Sequence, residues 1–402
     1  MVGVSLALAL RQQLPAATRL LLVESFPLPT VGADFKSQYS ASFDARSTAL
    51  SYASCLIYEE LGLWDVLRER ACAIESVHVS ERGRFGSTLL EAADYQWPAL
   101  GYVIENAWLG NILIEALRQA GVDTLSPARV VNAQPQDHGM LLQLDSEEQL
   151  DCALLVVADG ANSSLRDALG IEAKQQNYEQ QALIANIGHA GPHAGRAFER
   201  FTSQGPMALL PLQAVTGETP RSALVWSLPS TQAEQLMSCE EDVFLASLQQ
   251  QFGYRVGKMQ RVGERHAYPL ALVQSLEQAR QGVVIMGNAA HSLHPVAGQG
   301  FNLALRDVAR LARVLSAAAT EGRSLGEIGV LQQYCEQQAT DQQRTTAFSD
   351  QLPGLFTHGN QALGMLRDFG LFTLDLSPGL KREFVRHTAG LAPSAGYRNV
   401  QP

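Results

Sequence analysis

Hydrophobic periodicity divides the chain into blocks of two kinds. From Val2 to Gln12 the residues VGVSLALALRQ, rich in Ala and Leu, read as a helix. Arg19 to Glu24 is a short apolar run closed by an acid, which suits a strand buried on both faces of a parallel sheet. A helix feeding such a strand is the second half of a βαβ unit. Two more runs of this kind follow. Residues 150–160 (LDCALLVVADG) stop at an Asp159-Gly160 turn, and residues 282–287 (GVVIMG) lead into a Gly-rich loop and a long helix from Phe301 to Leu315.

The other blocks differ. Residues 40–68 read as loop and then helix, and residues 102–120 as helix. Residues 72–100 alternate apolar and polar around Gly83 and Gly86, which predicts an antiparallel excursion. Residues 182–229 carry the strand-like runs ALIANIG, MALLPL and SALVWSL; residues 232–252 look helical. From about residue 346 the tail is helical, with apolar residues on both sides of Pro353 and Pro378. No repeat or low-complexity linker separates these blocks, so two interleaved units are expected.

Composition narrows the function. Thirty Lys+Arg against forty Asp+Glu give a net charge of -10, which argues against nucleic acid as a partner. No run of about 18 apolar residues exists, so no membrane-spanning helix is expected. Cys55, Cys72, Cys152, Cys239 and Cys335 are few, odd in number and scattered; reduced thiols in a cytoplasmic protein are expected, with no disulfide framework and no metal knuckle.

Several residues carry candidate chemistry. Gly3 and Glu24 have the spacing of the third glycine and ribose-binding acid of a dinucleotide fold, with Met1-Val2-Gly3 as the "x-x-G" of G-x-G-x-x-G. An incidental glycine and a strand-end acid explain them equally well. Asp159-Gly160 is either a plain turn or a carboxylate at the ligand-binding edge of a parallel sheet. Gly287, Gly298 and Gly300 bracket a loop that opens a helix, a place for partial negative charge. His291 and His294 lie in that loop, but no Cys or carboxylate neighbours complete a metal site. No G-x-S-x-G elbow and no P-loop is present.

Three segments now carry a resemblance. They are Phe43-Asp44-Ala45-Arg46 with Ala49-Leu50-Ser51, Val157 to Ser163 with Arg166, and Gly287 to Asp307. The last reads G-N-A-A-H-S-L-H-P-V-A-G-Q-G-F-N-L-A-L-R-D. Over nearly its whole length the chain resembles the FAD-dependent aromatic hydroxylases typified by para-hydroxybenzoate hydroxylase. It is most similar to their ubiquinone-biosynthesis branch. Gly287-Asn288 and Gly300-Phe301-Asn302 look more like the 2-polyprenyl-6-methoxyphenol hydroxylases than like sister hydroxylases with Gly-Asp and Gly-Val-Asn.

The resemblance implies an α/β fold: a doubly wound FAD/NAD(P)-binding domain, an interleaved antiparallel β-sheet substrate domain and a helical C-terminal tail. The expected boundaries are 1–70, 101–170 and 279–345 for the FAD domain, 71–100 and 171–278 for the substrate domain, and 346–402 for the tail. It implies FAD as cofactor, NADH or NADPH as co-substrate, and oxygen transfer from O2 through a flavin C4a-hydroperoxide to a polyprenylated phenol. Gly3 and Glu24 would hold the adenosine end. Arg46, Asn106, Asp159 and Gly160 would lie along the cofactor near its pyrophosphate. Gly287, Asn288, Pro295, Gly298, Gln299, Gly300 and Asn302 would follow the ribityl chain and flavin ring. His294 is the candidate base; a structural histidine is an equal reading.

Two further expectations follow. The first strand and first two glycines of the fingerprint are missing, so an in-frame upstream segment ending in Gly-x-Gly is expected before Met1. An immediate stop would mean a truncated gene and a non-catalytic subunit of a ubiquinone-synthesis assembly. The lipid tail of such a substrate also implies peripheral inner-membrane contact and partners in that assembly. Leu363, Met365, Leu366, Phe369, Leu371, Phe372 and Leu374 could supply the apolar surface, though apolar stripes more often pack on a protein's own core.

Overall fold

The structure, a computed structural model, describes residues 1–30, 32, 35–40, 42–84, 86–214, 219–294, 298–357 and 377–391. The opening helix runs Val2–Gln13. Its Val4 and Leu8 join a core with Trp108 and Ile112 of the helix Asn106–Gln119. Its Leu6, Leu10 and Leu14 join another with Val284, Met286 and the long helix Gln299–Thr320. A helix packed from two sides needs apolar residues around most of its circumference, which explains the Ala/Leu run.

The parallel strands are short. Leu21–Val23 pairs with Asp123–Leu125, and Leu155–Val157 pairs with Val283–Ile285; the pairs belong to separate sheets. Val283, Val284 and Ile285 are fully buried, as expected. The Arg19–Glu24 run departs from expectation. Leu21 is 47% exposed, because its strand lies in a two-stranded sheet with no strand on its other edge among the described residues.

Residues 150–160 form two strands rather than one. Gln149–Cys152 pairs antiparallel with Gly139–Leu144, and only Leu155–Val157 enters the parallel pair. Two other strands escaped the hydrophobic pattern. Ser47–Ser51 is hidden by its Ser and Thr content in a region read as loop and helix. Gly101–Glu105 merges into the helix that follows it, because a short apolar run has no period of its own. They pair with each other, and Ala71–Ile74 pairs with Gly101–Glu105 on its other side. Ala71–Ile74 therefore joins this small sheet, not the substrate sheet for which its alternation suited it.

The large sheet has nine strands. In spatial order they are His291–Ser292, His266–Ser275, Ala173–His189, Arg221–Pro229, Gly205–Pro211, Arg196–Thr202, Ser76–Glu81 and Ser87–Glu91, with Met259–Val262 also paired to Ala173–His189. All pairings are antiparallel except Arg196–Thr202 with Ser76–Glu81. One face packs Leu183, Leu209, Leu224 and Trp226 against Phe244 and Leu248 of the helix Glu241–Phe252. His291–Ser292 adds the start of the Gly-rich loop to the sheet edge, which fixes that loop beside the substrate sheet.

A buried ion pair stitches the two sheets together. Arg221 of the large sheet donates to Glu105 Oε1 at 2.7 Å and to the Ser42 carbonyl at 2.6 Å, and the Tyr39 hydroxyl donates to Glu105 Oε2 at 2.5 Å. The C-terminal helix Pro378–Thr388 is strapped down at its end, where Gln299 donates to the Thr388 carbonyl at 3.1 Å and the Ala53 N–H to the Ala389 carbonyl at 3.0 Å.

Candidate active site

A cavity of about 770 Å³ lies between the Gly-rich loop and the free face of the large sheet. One end is half polar. Residues Ser47 to Ser51, Gly160, Asn288, Gly298, Gln299 and Gly300 line it, and Met1 and Val2 reach its edge. The other end is apolar, with Val77, Leu90, Phe201, Leu210 and Val225 from the sheet and Phe348 and Phe384 from the C-terminal helices.

Local chemistry shapes the polar end. Gly298 precedes the long helix with φ of 59°, a left-handed conformation that glycine adopts without strain. Asn302, one turn into the helix, clamps the loop. Its Nδ2 donates to the Gly298 carbonyl at 2.7 Å and the Ala49 carbonyl at 2.9 Å. Its Oδ1 accepts from the Ser51 N–H at 2.8 Å and the Ser54 hydroxyl at 2.7 Å. Arg166 donates to the Ala161 and Ala289 carbonyls at 3.2 and 3.1 Å, tying together the two strand-end loops that carry Gly160 and Asn288.

These features fit an extended, partly charged group. Among the described residues nothing outside the local backbone lies within 4 Å of where a Cβ would project from Gly160 or Gly300, so bare backbone meets open space at both. The first-turn N–H groups of a 22-residue helix point the same way, and their orphan donors favour partial negative charge.

The expected residues divide into groups. Gly160, Asn288, Gly298, Gln299, Gly300 and Asn302 share the cavity. Asn302, expected at the cofactor, instead spends both its donors and its carbonyl on the protein, so its side chain positions the loop. Gly287 is buried behind it, with Val2 beside its Cα. Gly3 lies in the first turn of its helix, where a Cβ would sit 3.5 Å from Leu22. Glu24 ends its strand, half-buried, and accepts from the Phe26 N–H at 3.1 Å. Asp159 is exposed at the strand end next to Gly160. Asn106 accepts from the Thr48 hydroxyl at 2.6 Å. Arg46 is exposed and donates to the Tyr268 hydroxyl at 2.9 Å, while Asp44 accepts from the Glu264 N–H. Pro295 lies outside the described residues.

His294 does not face the cavity. It is 1% exposed and its ring meets Tyr178 edge-on at 5.3 Å. Burial lowers its pKa to about 4, with Asp350 opposing weakly, so it is neutral at pH 7. His291 is taken by Asp307 at 2.6 Å.

One titratable group of the cavity escaped sequence reasoning. Glu199 lies on the strand Arg196–Thr202, with its carboxyl on the apolar wall. What surface it keeps faces the cavity, and burial pushes its pKa up to about 8. The signal was present in Ala197, Glu199 and Phe201, a lone acid on the apolar face of an alternating run.

Comparison with known proteins agrees with this geometry. A family model described as FAD binding domain matches residues 36–349. The ubiquinone hydroxylase UbiL of Rhodospirillum rubrum is 32% identical over 360 residues, 89% of this chain and 82% of that one. The 3-demethoxyubiquinol 3-hydroxylase of Escherichia coli K12 is 29% identical, covering 97% and 96%. The crystal structure of Pseudomonas aeruginosa PqsL with 2-aminobenzoylacetate superposes with a TM-score of 0.73 at 22% identity, covering 92% of this chain and 97% of that one, which speaks to the fold. With the glycine-bared helix terminus opening onto an apolar cavity, these matches establish that the chain belongs to the FAD binding domain family, as a flavin-dependent monooxygenase of the para-hydroxybenzoate hydroxylase type.

Proposed function

We propose that the protein hydroxylates the ring of a polyprenylated methoxyphenol in ubiquinone biosynthesis, consuming NAD(P)H and O2. The observation that carries this reading is the two-ended cavity, whose polar glycine-bared end opens directly onto an apolar sheet wall. The names of the two hydroxylase relatives support the pathway. FAD, when bound, supplies electron transfer from NAD(P)H and the activation of O2.

The chain's own residues do the rest. Gly160, Asn288, Gly298 and Gly300 would hold the cofactor through bare backbone and one amide. Glu24, Arg46 and Asp159, at neighbouring strand and loop ends, would extend that site toward the adenosine, and Asn106 would support it through Thr48. Phe201, Leu210, Val225 and Leu90 would receive the ring and the start of its tail. Phe348 and Phe384 line the apolar end, and the strap from Gln299 to Thr388 ties the C-terminal helix to the Gly-rich loop; together they would help keep water from a reactive oxygen donor. The division into FAD-side and substrate-side segments is part of this proposal; Ala71–Ile74 pairs with Gly101–Glu105 in the small sheet, and His291–Ser292 pairs into the large one.

Among the described residues no helix is long and apolar enough to cross a membrane. A lipid-tailed substrate nevertheless favours a cytoplasmic protein that touches the inner membrane and its pathway partners peripherally. The tail segment Leu363 to Leu374 lies outside the described residues.

The purified protein should show a flavin absorbance spectrum. With NAD(P)H and O2 it should convert a short-chain prenylated methoxyphenol to a product one oxygen atom heavier, with NMR locating the new hydroxyl. A colourless protein that cannot be loaded with FAD would sink the reading. Gly300→Leu gives a sharper test. Among the described residues a Cβ at this position meets nothing within 4 Å, so the side chain would start into the open space at the helix terminus. We expect at least a roughly tenfold loss of FAD affinity, equivalent to about 1.4 kcal/mol, with the melting temperature of the flavin-free protein unchanged.

A further inference from the structure

A single row of side chains crosses the apolar wall of the cavity. Strand register places Thr88, Val79, Glu199, Ala208, Val225 and Ile184 side by side across six adjacent strands, and all six line the cavity. Glu199 is the one charged residue in this row, and it sits in the middle of it. Ala208 beside it is small, which leaves space above the carboxyl. An acid so placed is costly, and structural economy would put Val or Leu there.

We propose that Glu199 is the catalytic base of the cavity, accepting the hydrogen bond of the substrate's ring hydroxyl and taking its proton as the ring receives oxygen. This inference rests on the hydroxylase reading above. In the step, the phenolic O–H bond breaks and its electron pair stays on the ring oxygen, from which it feeds the ring carbon under attack. The proton forms a new O–H bond on the Glu199 carboxylate. When the ring becomes aromatic again by losing the proton of the attacked carbon, Glu199 returns its own proton to the ring oxygen. The net reaction takes one ring C–H, one O2, one NAD(P)H and one proton to ring C–OH, NAD(P)+ and water.

The surroundings suit that task. Burial alone raises the carboxyl, to about 8, which brings its basicity closer to that of a phenol, at roughly 10. Other titratable groups are turned away or engaged. Glu81, on the adjoining strand, pairs with Arg84. Arg200 and His78 lie on the opposite face, Arg200 donating to the Gln251 carbonyl and the His78 ring tilted against Phe198. From the C-terminal helix, His387 packs on Phe348. His294, the base suggested by sequence, is neutral, screened by Tyr178 and outside the cavity wall.

The test uses the FAD-loaded enzyme and a short-chain 2-methoxyphenol as probe. Product formation against pH is measured for wild type, Glu199→Gln and Glu199→Asp, with flavin content and the dissociation constant of the probe taken alongside. In wild type product formation should rise as pH climbs through about 8, where the carboxyl becomes a carboxylate. Glu199→Gln is isosteric and should fold, hold FAD and bind the probe. It should lose roughly 100-fold or more in product formation above pH 8, and its remaining activity should lack the rise through 8. Glu199→Asp should restore both in part. A Glu199→Gln enzyme within about threefold of wild type, or one that keeps the rise through 8, overturns the proposal while the hydroxylase reading survives. A wild type that holds FAD but never hydroxylates any phenol overturns both.

Discussion

Replacing Asn302 with alanine should strip the protein of flavin and destabilise it by about 3 kcal/mol. The side chain makes four hydrogen bonds between 2.7 and 2.9 Å, and they converge on both walls of the cavity's polar end. Removing it orphans the Ser51 N–H and takes a donor from each of the Ala49 and Gly298 carbonyls. A lost buried partner costs about 1–3 kcal/mol, and water entering from the cavity brings the sum toward the lower end. The functional loss is larger than this figure suggests. This amide ties Gly298 to the strand Ser47–Ser51, and both are cavity walls. Asn302→Asp keeps the acceptor but loses both donors and brings charge against two carbonyls, so it should behave no better. The flavin-to-protein absorbance ratio and urea unfolding of the flavin-free protein measure the two effects separately. Flavin content within about twofold of wild type would show that the loop holds its shape without the clamp.

Arg221→Ala should be the most destabilising single change, by about 3–5 kcal/mol. Arg221 is 1% exposed, and its guanidinium bonds Glu105, the Ser42 carbonyl and, at 3.2 Å, the Gln213 carbonyl. Alanine leaves the Glu105 carboxylate buried between the two sheets, with the Tyr39 hydroxyl as its remaining side-chain donor among the described residues. The penalty belongs to the unpaired charge, not to the lost attraction. The double variant Arg221→Met with Glu105→Gln, which keeps an acceptor for Tyr39, should therefore recover at least half of the stability. Urea midpoints compare the three proteins. A double variant as unstable as Arg221→Ala would mean that the three carbonyl and carboxylate contacts of the guanidinium, and not the stranded charge, hold the sheets together.

Much of the fold is legible without coordinates because it rests on local periodicity. Val283–Ile285 could only be a buried strand, and the long helix after the glycines follows from its apolar stripe. The spacing of Gly298 and Gly300 before that helix pointed to the right end of the cavity. Where periodicity is absent, legibility ends. Ser47–Ser51 is a strand because Gly101–Glu105 and Asn302 supply its partners from far along the chain, and nothing within its own polar sequence says so.

The site divides along the same line. The sequence by itself determined the residue types: bare glycines, a helix terminus, an acid at a strand end, an apolar alternation in the substrate sheet. Only the tertiary structure decided their duties. It turned Asn302 from a ligand contact into a clamp, put His294 behind the wall and brought Glu199 to the middle of the cavity floor. The reason is physical. Local pattern sets the period with which side chains alternate, but the register between strands distant in sequence decides which polar group faces the cavity and which is satisfied elsewhere.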